Sequence, residues 1–358
     1  MSTPPRTVPR GARHGRGRRA AEEATRAWRW PVILLVVAVL VGAGLIDRAV
    51  TAPSVAPPSP VVPAQAAPVD AQSSSWFCTG GSGTAGGIGN ATLYLVNSGP
   101  TPVAGTVTVT NADGAVAARP VTVPARGQLT VVPSTIEQGT WLASRVDLDG
   151  GGVSVSELVS GADGWAQAPC SSITSASWYF ASGATTDGDT LYVSLYNPTS
   201  TSAVVDLAFV TPKGITEPQP FEGVVVAPGQ LKVAGVAGYV QDQASVATIV
   251  SARSGRVVAT ELEDHAVDGI TGLSLRLGAP AAATRWYVPR TVDVTTGASG
   301  VTVLNPAKVP QRVTVHVELK SGSVAPFSEV LPADGTWGLA TSQAPRIPAN
   351  TTYAVAVT

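Results

Sequence analysis

The sequence predicts an all-β protein: tandem immunoglobulin-like antiparallel β-sandwich repeats, preceded by an N-terminal transmembrane helix and a Pro-rich stalk. Three observations predict it. A set of landmark residues recurs in one order three times, and one apolar run near the N-terminus carries no charge. The composition also holds only 13% charged residues, about half the usual share of ~25%, with 37 glycines and 29 prolines, which disfavours helical bundles and coiled coils.

The first element is a tail, residues 1–30. Its eight arginines (Arg6, Arg10, Arg13, Arg16, Arg18, Arg19, Arg26 and Arg29) face only Glu22 and Glu23, so it carries +6 and the rest of the chain carries −7 of the formal net charge of −1. Residues 31–46 (PVILLVVAVLVGAGLI) follow without a charge. At ~1.5 Å per residue they reach roughly 24 Å of the ~30 Å hydrocarbon core; Trp28 and Trp30 in the headgroup layer and a snorkelling Arg29 extend that length. A single span is expected, with the Arg-rich tail cytoplasmic and everything after Ile46 extracytoplasmic. The alternative is a cleavable signal peptide, but its small-residue site, Ala64-Gln65-Ala66, lies about twenty residues beyond the apolar run, so an uncleaved signal anchor is the preferred reading. Topology already accounts for the arginines, and no nucleic-acid partner is expected.

Residues 47–74 read as the stalk. Pro53, Pro57, Pro58, Pro60, Pro63 and Pro68 favour polyproline geometry at ~3.1 Å per residue, holding the exported part roughly 50 Å from the bilayer.

Three β domains follow, at 75–173, 174–283 and 284–358. Each opens on Trp plus an aromatic (Trp76-Phe77, Trp178-Tyr179, Trp286-Tyr287), and a strand then ends at Asn97, Asn197 or Asn305, 21, 19 and 19 residues after its Trp. Seventeen residues later comes a turn glycine (Gly114, Gly214, Gly322), then a second at Gly127, Gly229 or Gly335. Residues 313–319 (VTVHVEL) alternate strictly, as expected of a strand with one buried face. A period of about 100 residues with glycine turns fits a two-sheet sandwich; propeller blades repeat at about 40–50. Cys78 and Cys170 bracket the first domain, and outside the cytoplasm a disulfide is their simplest state. The third copy stops about 30 residues before the point where copy two is complete. The expectation is that the sequence is a fragment, the alternative being that a partner supplies the missing strands.

The Trp-aromatic opening (WYFASGATTDG in copy two), the Leu-x-Leu-x-Asn-Pro strand ends and the Pro-Gly-Gln-Leu turn resemble the repeats of an actinobacterial family of unknown function. The resemblance covers residues 31–358. It implies one N-terminal membrane segment, an exported β-rich region and, through gene neighbourhoods rich in glycosyltransferases, a place in cell-envelope assembly. It supplies no catalytic residues.

The residues best suited to chemistry are Glu157 and Glu261, which end the matching runs VSVSE and VVATE, together with Asp264 and His265 in what reads as an acid-rich loop. By parity each Glu shares a face with apolar neighbours and needs bonding partners, so backbone or Arg contacts at a sheet edge are the plain reading, and proton transfer or cation binding the sharper one. Asp147-Leu148-Asp149-Gly150 and Asp187-Gly188-Asp189 lack the later ligands of a calcium loop and read as turns. No Gly-x-Ser-x-Gly elbow occurs, and Gly86-Gly87-Ile88-Gly89 has no following helix to complete a phosphate site. No metal or cofactor is expected. The reading is a non-enzymatic, membrane-anchored envelope protein that presents its sandwiches to cell-wall glycan or an envelope protein, its oligomeric state open. The alternative is an accessory or catalytic factor in envelope polysaccharide assembly working around Glu261 and His265. An adhesin has less support, because the 15 Trp and Tyr residues offer no evident sugar platform.

Overall fold

The computed structural model describes residues 31, 33–42, 63–83, 87–267, 269–292, 300–340, 344–348 and 351–358. The chain divides into two compact units, 1–59 and 60–358. In the first, residues 31 and 33–42 are helical with exposed apolar side chains. No helix among the described residues is long and apolar enough to cross a membrane. Residues 43–46 of the expected span, the Arg-rich tail and the stalk up to residue 62 lie outside the described residues.

The second unit is all-β and holds three sandwiches of one design. Copy one comprises β1 (Ser74–Gly81), β2 (Asn90–Asn97), β3 (Val103–Asn111), β4 (Val116–Val123), β5 (Gln128–Val131), β6 (Leu142–Leu148), β7 (Val153–Gly161) and β8 (Gly164–Pro169). Copy two comprises β9 (Ser177–Phe180), β10 (Asp189–Tyr196), β11 (Ala203–Thr211), β12 (Gly214–Thr216), β13 (Val224–Val226), β14 (Leu231–Gly235), β15 (Ala247–Ser254), β16 (Val258–Val267) and β17 (Ile270–Leu277). Copy three comprises β18 (Trp286–Val292), β19 (Gly300–Asn305), β20 (Gln311–Leu319), β21 (Gly322–Ser323), β22 (Phe327–Leu331), β23 (Gly335–Ala340) and β24 (Thr352–Val357). The first sheet of each runs β1-β6-β3-β4, β9-β15-β11-β12 and β18-β24-β20-β21, with β13 and β22 pairing β11 and β20. The second runs β5-β2-β7-β8 and β14-β10-β16-β17, and in copy three β19-β23. Among the described residues, nothing in copy three corresponds to β16 and β17.

Alternation explains the layers. Leu93, Leu95, Val107, Val109, Val146 and Val155 point between the sheets of copy one, and Leu191, Val193, Leu195, Leu207, Phe209 and Val250 do so in copy two. Trp76 and Trp178 sit in these cores; the Trp178 indole N–H donates to Val257 O at 2.9 Å, next to the start of β16. Trp286, whose sandwich has no described strand at that place, is 44% exposed and helps line a cavity of about 700 Å³ with Val301, Val303 and Val313. The Cys78–Cys170 disulfide is formed and lies in the first core.

The three asparagines do one job. Each is buried at its strand end: Oδ1 accepts from the backbone N–H two residues on (Gly99, Thr199, Ala307), and Nδ2 donates to the carbonyl four residues on (Thr101, Thr201, Val309). Nδ2 also reaches the adjoining strand of the other sheet, at Val123 O, Val226 O and Leu331 O. The side chain closes a turn and ties the two sheets together. Gly114, Gly214 and Gly322 take positive φ at the next turn, as their position requires. At the second turn Gly229 has φ 71°, but in copies one and three the residue before the glycine, Arg126 or Asp334, takes the left-handed conformation instead.

Neighbouring copies meet through corresponding faces. The outer face of the first sheet in copy one, with Phe77 and Ala143, packs on the outer face of the second sheet in copy two, with Tyr196, Leu231 and Val233. Copy two repeats the arrangement: Tyr179, Ala247 and Ile249 meet Leu304 of copy three. The pairing registers make Ala143 equivalent to Ala247, and Tyr196 to Leu304. Leu262 and Leu275 extend the first joint, covering Val159, Ala166 and Ala168 on the inner face of β7 and β8. The end of the Pro-rich segment also belongs to this body: Pro63 O accepts from Ser172 N at 2.6 Å and Ala67 O from Gly152 N at 2.9 Å.

Candidate functional site

Glu157 and Glu261 occupy the same place in their sandwiches, opposite Leu93 and Val193, on strands flanked on both sides rather than at a sheet edge. Both are buried. Their partners differ. Glu157 Oε2 accepts from the backbone N–H of Gly80 at 2.9 Å, with the backbone of Thr79 and Gly81 alongside, yet burial pushes its carboxyl up to about 7. Glu261 Oε1 meets Arg276 Nη1 at 2.7 Å and its Oε2 accepts from Thr248 Oγ1 at 3.2 Å. Burial pushes it to about 7 as well, against the opposing pull of Arg276. Arg276 also binds Glu263 Oε2 at 2.5 Å.

The expected acid-rich loop is a strand. Glu263, Asp264 and His265 continue β16, because the hairpin to β17 turns later, between Val267 and Ile270. Alternation then splits them. His265 shares the Glu261 face, where its Nδ1 lies 2.5 Å from Asp189 Oδ1; Asp189 also accepts from Thr186. Asp264 points to the other face, towards copy one, with Oδ1 buried and unpartnered; burial and then the charge of Asp163 raise its pKa. The structure therefore brings Glu261, Glu263, Arg276, His265 and Asp189 to one face and separates Asp264 from them. Asp147 is in β6, not a turn, and pairs with Arg145 at 2.7 Å.

Sequence reasoning missed Arg276 and Gly80, and read Asp189 as part of a turn, Asp187-Gly188-Asp189, rather than as the partner of His265. Arg276 was within reach: counting outward from the hairpin between Val267 and Ile270 places it opposite Glu261. Gly80 and Asp189 come from distant strands, and no local signal marks their contacts with Glu157 and His265. Among the described residues no cluster of His, Cys, Asp and Glu is arranged to hold a metal ion. The carboxylates can accept and hold protons near neutral pH, but each is engaged by a group of the scaffold, and the 700 Å³ cavity lies elsewhere, beside Trp286.

Residues 160–336, copy two and most of copy three, match a family of unknown function (DUF5719). A comparison with curated proteins finds no match. Among solved structures, the crystal structure of Thermotoga maritima 1070 is 12% identical over 29% of this chain and 92% of that one, with a TM-score of 0.25. A tetra-tandem repeat from the extending region of a large adhesion protein is 13% identical over 74% of this chain and 65% of that one, at 0.13. Neither likeness bears on function.

Proposed function

We propose that this is a non-enzymatic protein of the bacterial envelope, anchored in the membrane by residues 31–46 and holding a stack of β-sandwiches outside the cytoplasm to bind cell-wall glycan or an envelope protein. The observation that carries the reading is the joint: two corresponding pairs of outer sheet faces pack Phe77, Tyr196, Leu231, Ile249 and Leu304 between copies and join neighbouring sandwiches. The Cys78–Cys170 disulfide supports an oxidising compartment. The buried carboxylates support a structural role, since Arg276 and the Gly80 backbone already engage them. A strain lacking residues 60–358 should show altered envelope integrity or lose a partner that the intact protein retains in a pull-down. A deletion with neither effect ends this reading.

A second reading, an accessory or catalytic factor in envelope polysaccharide assembly, rests on the Asp189–His265 pair on the same face of β16 as Glu261. It predicts that Glu261→Gln or His265→Ala abolishes complementation of the deletion while leaving the folded protein abundant. The structural reading predicts full complementation.

A further inference from the structure

The outer face of the second sheet is buried in a joint in copies two and three, but among the described residues no sandwich covers that face of copy one, and its side chains differ there. Tyr192, Tyr196, Leu231, Val233 and Leu275 of copy two correspond, register for register, to Thr92, Val96, Gln128, Thr130 and Gln167. Val258 corresponds to Ser154, and the one charged residue of the face, Asp264, to Ser160. Much of the apolar joint has thus become a surface of hydroxyl and amide side chains, with Val96 and Leu158 its aliphatic members and no Asp, Glu, Lys or Arg among the outward-facing residues of β2, β5, β7 and β8; Glu157 of β7 faces the core. Two aromatic rings remain: Trp165, 67% exposed, at the place of Leu273, and the half-buried Tyr94 near the centre. Gln167 Nε2 donates to Ser156 Oγ at 2.9 Å, a polar pair across β7 and β8.

From this we infer that the face formed by β5, β2, β7 and β8 is a binding platform for an uncharged polysaccharide. Hydroxyl and amide groups exchange hydrogen bonds with sugar hydroxyls in either direction. An exposed indole offers its apolar face to the C–H side of a pyranose ring. A face without charge has nothing to attract a phosphate or uronate polymer. A second copy of the chain is the poorer occupant: Leu158 and Val96 keep the places of Leu262 and Tyr196 apolar, but Leu231, Val233 and Leu275 of the joint are Gln128, Thr130 and Gln167 here. This rests on the glycan arm of the proposed function and assigns it a surface.

The test is affinity electrophoresis of the full chain in gels containing dextran, laminarin or galactan, with alginate as the anionic control. At least one neutral polymer should retard the protein and alginate should not. Trp165→Ala and Tyr94→Ala should each weaken that retardation by about tenfold, the order set by loss of one aromatic contact, with near-ultraviolet circular dichroism confirming that both variants fold. Retardation by alginate alone, by no polymer, or equally in wild type and variants overturns the platform. Self-association of the wild type that Trp165→Ala abolishes also overturns it, in favour of a second copy. If a neutral polymer binds but both variants bind equally, the glycan reading stands and only this surface is wrong.

Discussion

A buried asparagine at the end of β2, β10 or β19 replaces three backbone partners at once, which ties each sandwich to one side chain. Asn197→Ala leaves the carbonyls of Thr201 and Val226 and the N–H of Thr199 without their partner. It should lower stability by about 1–3 kcal/mol, read as a shift in the urea midpoint. Glu157 has the opposite character, because its burial costs more in the charged form than the Gly80 N–H returns. Its folded pKa of about 7 lies above the ordinary value of 4.5, so the folded state holds the extra proton between these limits. Stability should therefore rise as pH falls from about 7 to about 4.5 and level off above 7. Glu157→Gln should flatten this slope and be the more stable protein at pH 8, by at most about 3 kcal/mol. A variant less stable than wild type at pH 8 would show that the ionised carboxylate is needed. The role of these glutamates was only half legible in the sequence: parity put them on the core face and the hairpin register could place Arg276, but Gly80 and Thr248 come from the facing sheet, which no local signal marks.

Between elements, covalent and steric constraints hold the first sandwich together. The disulfide closes 92 residues between β1 and the end of β8, worth about 4–5 kcal/mol in the chain-entropy account. Cys78→Ala with Cys170→Ala should lower the Tm of copy one while leaving copy two, which has no disulfide, melting as before. Scanning calorimetry resolves the two. The segment 63–73 lies against copy one because Gly151 has no side chain: a Cβ there would stand 1.8 Å from Pro68 O. Gly151→Ala should expose the Gly152 amide, bonded to Ala67 O, to faster hydrogen exchange. The strands and turns were legible because alternation and positive-φ glycines are local signals. The docking of this segment was not, since prolines announce an extended chain without naming what it lies on.

At the scale of the whole molecule, the joints decide whether the sandwiches move as one. Ala143 is fully buried between copies one and two beside Tyr196 and Leu231. Ala143→Arg places a charge in that contact and should leave both sandwiches folded but separated, with a longer maximum dimension in X-ray scattering and proteolytic cleavage between residues 170 and 177. Unchanged scattering would mean that Leu262 and Leu275 hold the joint alone. The repeats themselves were readable from landmark spacing. Their mode of contact was not, because outward-facing residues follow the same alternation whether water or another sheet covers them.

The corresponding joints carry a consequence for the history of the gene. Because the face that leaves copy one corresponds to the face that leaves copy two, an in-frame duplication of the middle unit would insert a sandwich whose entering side already matches its neighbour. The stack of sandwiches can then lengthen in steps by unequal crossing-over, without a new interface having to evolve each time. Among the described residues the entering side of copy one meets no sandwich, and it does not carry that match.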